Sequence, residues 1–230
     1  VSPALVAIAI AVLAGGVLAL SARDARAAIL GTGVALIAAP LLADPLPTPL
    51  ALAARLVAAI LATYLLWVAV RHGRAATGGS RLGWPAEALM AVAAAVVGYG
   101  THGLGASASG PPEAQAAGFA LAALAVVPVV TGRDIIRIGL GLLMLTVGAV
   151  LVRVALGGTP SDFEQLAIAG LLTALGGSVA ILAAAARFDG PEGFDLIDDR
   201  RRYLSRTPNV RSVRIPHDLP PQGPRDAVSR

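Results

Sequence analysis

Seven apolar runs divide this chain, at 3–20, 27–43, 49–70, 84–104, 115–131, 135–156 and 164–186. A hydrocarbon core of about 30 Å takes roughly 20 residues of helix to cross, and each run comes close to that length. Ala and Leu dominate, and no run has the ten-residue alternation of a membrane barrel. A helix satisfies its own backbone polar groups in lipid, so the pattern predicts an all-α, polytopic bundle of seven transmembrane helices. Turn chemistry marks the breaks. Asp44, Pro45, Pro47 and Pro49 separate the second and third runs, Trp84-Pro85 opens the fourth, Gly110, Pro111 and Pro112 precede the fifth, and Gly157 to Pro160 close the sixth.

The polar gaps alternate in kind. One set carries arginine: Arg23 and Arg26, then Arg71, Arg74 and Arg81, then Arg133 and Arg137, then Arg187 and the segment after it. The other set carries only acids: Asp44, then Glu113, then Asp162 and Glu164. Cytoplasmic loops retain Arg and Lys whereas translocated loops lack them, which predicts the N-terminus outside and the C-terminus inside. Only Arg55 and Arg153 break this alternation. No basic stretch precedes the first run and arginines follow it, the reverse of a secretory signal, so the expectation is a retained first helix.

Beyond residue 187 the character changes. Eight arginines, seven carboxylates and six prolines leave too little apolar surface for a core, so 188–230 reads as a cytoplasmic Arg/Pro-rich tail. A short amphipathic helix through Phe194 to Leu204 is expected, lying on the membrane or a cytoplasmic partner, with an extended stretch from Pro208 to Arg230. Glycines recur within the runs at Gly15, Gly16, Gly31, Gly98, Gly141, Gly148, Gly170, Gly176 and Gly177, where they would let helices approach closely. The first and fifth runs both exit into Arg-Asp with another arginine close behind, at Arg23-Asp24 and Arg133-Asp134. Both are followed by a glycine-bearing run, which suggests a parallel 3+1+3 arrangement, or convergence on one boundary chemistry.

Composition agrees with a bilayer. The chain of 230 residues is 56% hydrophobic and 14% charged, with mean hydropathy +0.75, far more apolar than a soluble domain requires. The net charge of +4 is accounted for by arginines beside spans, so no nucleic-acid partner is predicted. Cysteine is absent, which excludes disulfides and thiolate chemistry.

The spans are poor in chemistry. No carboxylate stands near the middle of any run; Glu87 is three residues into the fourth and Glu164 opens the seventh. Arg55, six residues into the third run, is expensive in hydrocarbon unless it snorkels or is paired. Its alternatives are a snorkelling side chain or a fixed positive charge at a subunit interface, tuning a path without carrying protons. Arg153, nearer the outer end of the sixth run, reads as a snorkelling arginine. His102, one turn after Tyr99, reads as structural or as a proton-relaying group. No phosphate loop, catalytic triad, metal site or cofactor motif is present, so no catalytic residue, metal or cofactor is expected.

The stretch Gly132-Arg133-Asp134-Ile135-Ile136-Arg137-Ile138-Gly139-Leu140-Gly141, continuing to Gly148 and Leu151, resembles the second helix of complex I subunit K and its relatives. Those relatives include the C subunit of Mrp-type cation/proton antiporters and component E of hydrogenase-4. Component E matches best in layout, being a seven-span chain with a subunit-K-like module at its C-terminal end, here about 115–187. Its Arg-Asn-Ile-Leu-Arg corresponds to Arg133-Asp134-Ile135-Ile136-Arg137, and Arg55 with Thr63-Tyr64 is similar to a further family motif. The family's proton-transferring carboxylates are missing: Leu143 or Thr146 stands at one position, and neutral residues between Gly170 and Gly176 at the other. The resemblance implies a non-catalytic membrane subunit of an ion-translocating respiratory, hydrogenase-4-like or Mrp-like complex in a bacterial cytoplasmic membrane. Its implied partners are antiporter-like membrane subunits and cytoplasmic subunits. The alternatives are a stand-alone small-solute transporter or channel, and a membrane assembly or scaffold factor.

Overall fold

The computed structural model describes residues 2–22, 24–71, 83–104, 108–131 and 134–188. Within them the chain is all-helical: α1 (Pro3–Ser21), α2 (Ala25–Ala38), α3 (Pro49–Arg71), α4 (Trp84–Gly100), α5 (Pro112–Thr131), α6 (Ile135–Gly157) and α7 (Asp162–Phe188). Six are long and apolar enough to cross a membrane, counting α2 with the 3-10 turn that extends it to Leu42. These are the dimensions of a multi-pass membrane bundle. Arg23, Arg74, Arg81, Arg133 and the predicted tail helix at 194–204 lie outside the described residues.

Local chemistry explains the helix ends. Asp24 and Asp134 each precede a helix in extended conformation and accept, at 3.2 Å, from the backbone N–H two residues on. This is an N-cap satisfying one of the orphan donors of the first turn. Pro112 and Asp162 start α5 and α7 ahead of the apolar runs that predicted them, because proline and acids suit the first helical turn. The second run ends differently from its prediction. Pro40 lacks the N–H that would continue α2, and the chain tightens into a 3-10 turn over Ala39–Leu42. The fourth run is also shorter, α4 stopping at Gly100 where the chain turns through Gly103 at φ 77°.

Packing is close where glycines meet. A Cβ added at Gly15 would lie 2.8 Å from the Gly31 carbonyl oxygen and 2.9 Å from the Ala35 amide nitrogen. In α5 and α6 the same relation recurs, a Cβ at Gly118 lying 2.8 Å from the Gly148 oxygen and 3.0 Å from the Val152 nitrogen. Both hairpins therefore cross on backbone, through contacts that no larger residue permits. Not every glycine serves this purpose. Gly170 faces open space and Gly177 makes only an ordinary contact with Leu65.

The main pairings are α1 with α2, α5 with α6, α3 with α7, and α4 with α5; α1 also meets α5, and α2 meets α3. One core runs through all the helices but α4, from Val12 and Ile29 through Leu36, Leu121 and Leu140 to Leu172. A smaller cluster joins α4 to α1 and α5.

The two kinds of gap collect at opposite ends. Thr48 Oγ1 donates to Asp162 Oδ1 at 2.8 Å, Thr159 Oγ1 donates to the Pro45 carbonyl at 2.6 Å, and the Gly110 N–H donates to the Ala155 carbonyl at 3.0 Å. These bonds join the three arginine-free gaps and set α3 and α7 parallel with their N-termini side by side. At the other end Arg137 Nη2 donates to the Ala22 carbonyl at 3.3 Å, joining two arginine-bearing gaps.

Candidate functional site

Arg55 lies in the α3–α7 seam and is only 3% exposed. Its Nη1 donates at 2.8 Å to Oε1 of Gln165, which is 2% exposed on the first turns of α7. The side chain therefore turns inward to its own chain and does not snorkel to the surface. A neutral amide satisfies one of five guanidinium donors and leaves the charge in place. Such a bond to a charged group contributes about 1.5–3 kcal/mol. Above it in the same seam stands the Thr48–Asp162 bond, and deeper down Gly176 admits Ala62, whose Cβ would lie 2.7 Å from a Cβ added there.

Arg153 is not a solitary snorkelling residue. From the last turns of α6 its Nη2 pairs with Glu164 Oε1 at 3.3 Å, both side chains being about half exposed. Glu164 also accepts from the Ser161 N–H at 2.9 Å, and its own N–H donates to Ser161 Oγ at 3.3 Å, a capping box that orients the carboxylate. An exposed pair of this kind is screened by solvent and ties the α6–α7 turn more than it stabilises the fold.

His102 joins a polar chain at the arginine-free end of α4 and α5. Thr101 Oγ1 donates to the Val97 carbonyl at 2.8 Å and accepts from Gln115 Nε2 at 3.2 Å. That leaves Gln115 Oε1 facing His102 Nδ1 at 2.8 Å, so Nδ1 carries the hydrogen.

The module residues serve packing and capping. Asp134 is the N-cap of α6, and Arg137 caps the C-terminal end of α1 through Ala22. Gly141 makes room for the Pro128 ring, 2.9 Å from where its Cβ would stand, and Gly148 forms the crossing with Gly118. Arg133 lies outside the described residues. No three His, Cys, Asp or Glu side chains come together as a metal site among the described residues.

The structure brings Arg55 together with Gln165 and His102 with Gln115, but it keeps these pairs in different seams. Sequence reasoning missed both glutamines. The available signal was their placement: each is a lone amide near the start of an apolar run, at the level where the preceding polar residue needs a partner. It also missed the burial of Glu87 and Glu113, which are 2% and 5% exposed.

Several features recur at one spacing. Arg55 and Gln165 are 110 residues apart. Asp134 stands at that same spacing from Asp24, with the same cap. Thr173 stands at it from Thr63, and each threonine donates to the carbonyl four residues earlier, at 3.0 Å and 2.7 Å.

No protein-family model, curated protein or solved structure matches the chain.

Proposed function

We propose that the chain is a non-catalytic integral membrane subunit of an ion-translocating respiratory, hydrogenase-4-like or Mrp-like complex. In this reading it packs against antiporter-like subunits in a bacterial cytoplasmic membrane, N-terminus outside, with the tail toward cytoplasmic subunits. The carrying observation is how its spans handle charge. Arg55 is held by Gln165 and Arg153 by Glu164, both within the chain and toward the arginine-free end. The outward faces are left apolar, with Val57, Ile60, Leu89, Val96 and Ile181 all more than half exposed. A relay of ionisable groups across the bilayer would need several such groups in series. A scaffold needs tied charges and apolar outer faces.

The motif residues support the same reading. Asp134, Arg137, Gly141 and Gly148 perform capping and close-packing roles that a module of this kind would use wherever it is inserted. The shared 110-residue spacing supports a parallel 3+1+3 repeat, α1–α3 matching α5–α7 with α4 between. A solute transporter built on such a repeat would line its interface with polar groups near mid-membrane. The buried polar side chains here are few: Thr32 bonds its own helix, and Arg55, Gln165, Glu87, Glu113 and Gln115 stand toward helix ends.

Affinity purification in mild detergent tests the proposal. The expected outcome is stable co-purification with large polytopic antiporter-like subunits. A monodisperse homo-oligomer that carries a solute into liposomes would overturn it.

A further inference from the structure

The outward faces of α3 and α7 agree in register and differ in size. Burial along 61–70 repeats position by position along 171–180, so the two helices leave the same positions uncovered. On α3 the uncovered positions carry a ridge of Val57, Ile60, Tyr64 and Val68, between 39% and 63% exposed. On α7 the positions at the same register carry Ala167, Gly170, Ala174 and Ser178, all exposed. A Cβ added at Gly170 would have nothing within 4 Å. The Thr48–Asp162 and Arg55–Gln165 bonds hold the two helices parallel and at one depth, so ridge and groove stand at the same level of the bundle.

Hydrocarbon suits all of this ridge except one group. Thr32, Thr63, Thr146, Thr173 and Ser178 each donate to the carbonyl four residues earlier, so their hydroxyls need no partner outside their own helix. The Tyr64 hydroxyl, at the far end of a ring, cannot fold back in that way and makes no hydrogen bond among the described residues. It stands about two turns inside Arg71, and side chains tilt toward the N-terminus of their helix, so the ring leans to the middle of the span. Lipid chains offer it no acceptor.

We propose that the α3 ridge of one copy seats in the α7 groove of a second copy, joining chains head to tail in the plane of the membrane. Small residues admit the ridge at close range, as Gly176 admits Ala62 within the chain. The Tyr64 hydroxyl then meets α7 beside Gly170, whose carbonyl is covered by no side chain of its own and has a lone pair to spare. Each copy offers one ridge and one groove, so the contact is heterologous and repeats. A twofold pairing of like faces would set ridge against ridge, or groove against groove with Tyr64 left in lipid. The proposal does not rest on the scaffold reading, because the purified chain alone tests it.

The chain has no cysteine, so disulfide cross-linking in liposomes reads the contact directly. Val57→Cys and Ala167→Cys proteins, each with a single thiol at the same register, should cross-link to one another when mixed, and at least several-fold less to themselves. Self-cross-links alone would overturn the proposal, and so would none at all, the result expected if lipid covers both faces. Gly170→Ile fills the groove but meets open space within the chain, so it should melt with the wild type. Energy transfer between labelled copies should show its association weakened at least tenfold, and that of Tyr64→Phe by a smaller factor. Association unchanged in Gly170→Ile would also overturn the proposal.

Discussion

The α3–α7 seam and the α4–α5 wedge both bury an ionisable side chain near a helix end, and they treat it oppositely. Arg55 is given a partner from a helix far away in sequence, and the seam is closed above it by Thr48 and Asp162. Glu87 is buried on the first turn of α4, one turn before the apolar cluster around Ala91, and its Oε2 has no partner. The difference follows from the chemistry of the two groups. A guanidinium cannot shed its charge, so its burial requires an acceptor. A carboxylate on the first turn of a helix gains from the positive end of the helix dipole without a side-chain partner, as Glu87 does on α4. The location matches as well: the seam belongs to the main core, while α4 sits on a smaller cluster at its side.

The strongest way to break this contrast is to remove the arginine's partner. Gln165→Leu leaves a buried guanidinium without its acceptor and should destabilise the bundle by about 1.5–3 kcal/mol. Arg55→Met combined with Gln165→Leu should recover most of that loss. Reversible unfolding in bicelles measures both, and additive losses would mean that the pair is not coupled. Next in size is Gly98→Val in the wedge. A Cβ there would lie 2.9 Å from the Gln115 carbonyl oxygen and 2.9 Å from Phe119 Cβ, so α4 must move off α5 at a cost of about 1–3 kcal/mol. Hydrogen exchange should then rise in α4 and stay unchanged in α3 and α7; equal loosening everywhere would show that α4 is no separate wedge. The smallest effect belongs to the exposed pair. Arg153→Gln should lower stability least of the three, and the difference from wild type should shrink further in high salt. A larger, salt-independent loss would move Arg153 into the same class as Arg55.

Much of the architecture was legible because it rests on local rules. Long apolar runs predicted the long helices, and the Arg-Asp pairs marked the boundaries at which Asp24 and Asp134 cap α2 and α6. The arginine-free gaps that the alternation grouped at 44–48 and 159–162 are bonded to each other. What escaped was of two kinds. Hydropathy does not separate helix from apolar turn, so the segment beyond Gly100 was counted into the fourth span, and Pro40 into the second. Partnership across the bundle has no local trace either. Nothing near Arg55 names Gln165, and nothing in the position of Glu87, three residues from a Trp-Pro boundary, reveals that its face is covered by α1 and α5. Arg153 was read as snorkelling because its partner lies across a turn whose geometry depends on the Ser161 capping box.

The ties among the arginine-free gaps bear on where this protein can be cut or extended. Most surface loops are anchored only by the two elements they connect, and so accept inserted sequence readily. At this end each loop is also fastened to another one: the 44–48 segment to 159–162, and the 109–110 segment to the last turn of α6. The three behave as a woven edge, in which lengthening one thread slackens its neighbours. An epitope or protease site placed at 159–161 would release α3 as well as α7, although α3 ends at Arg71, far earlier in the sequence.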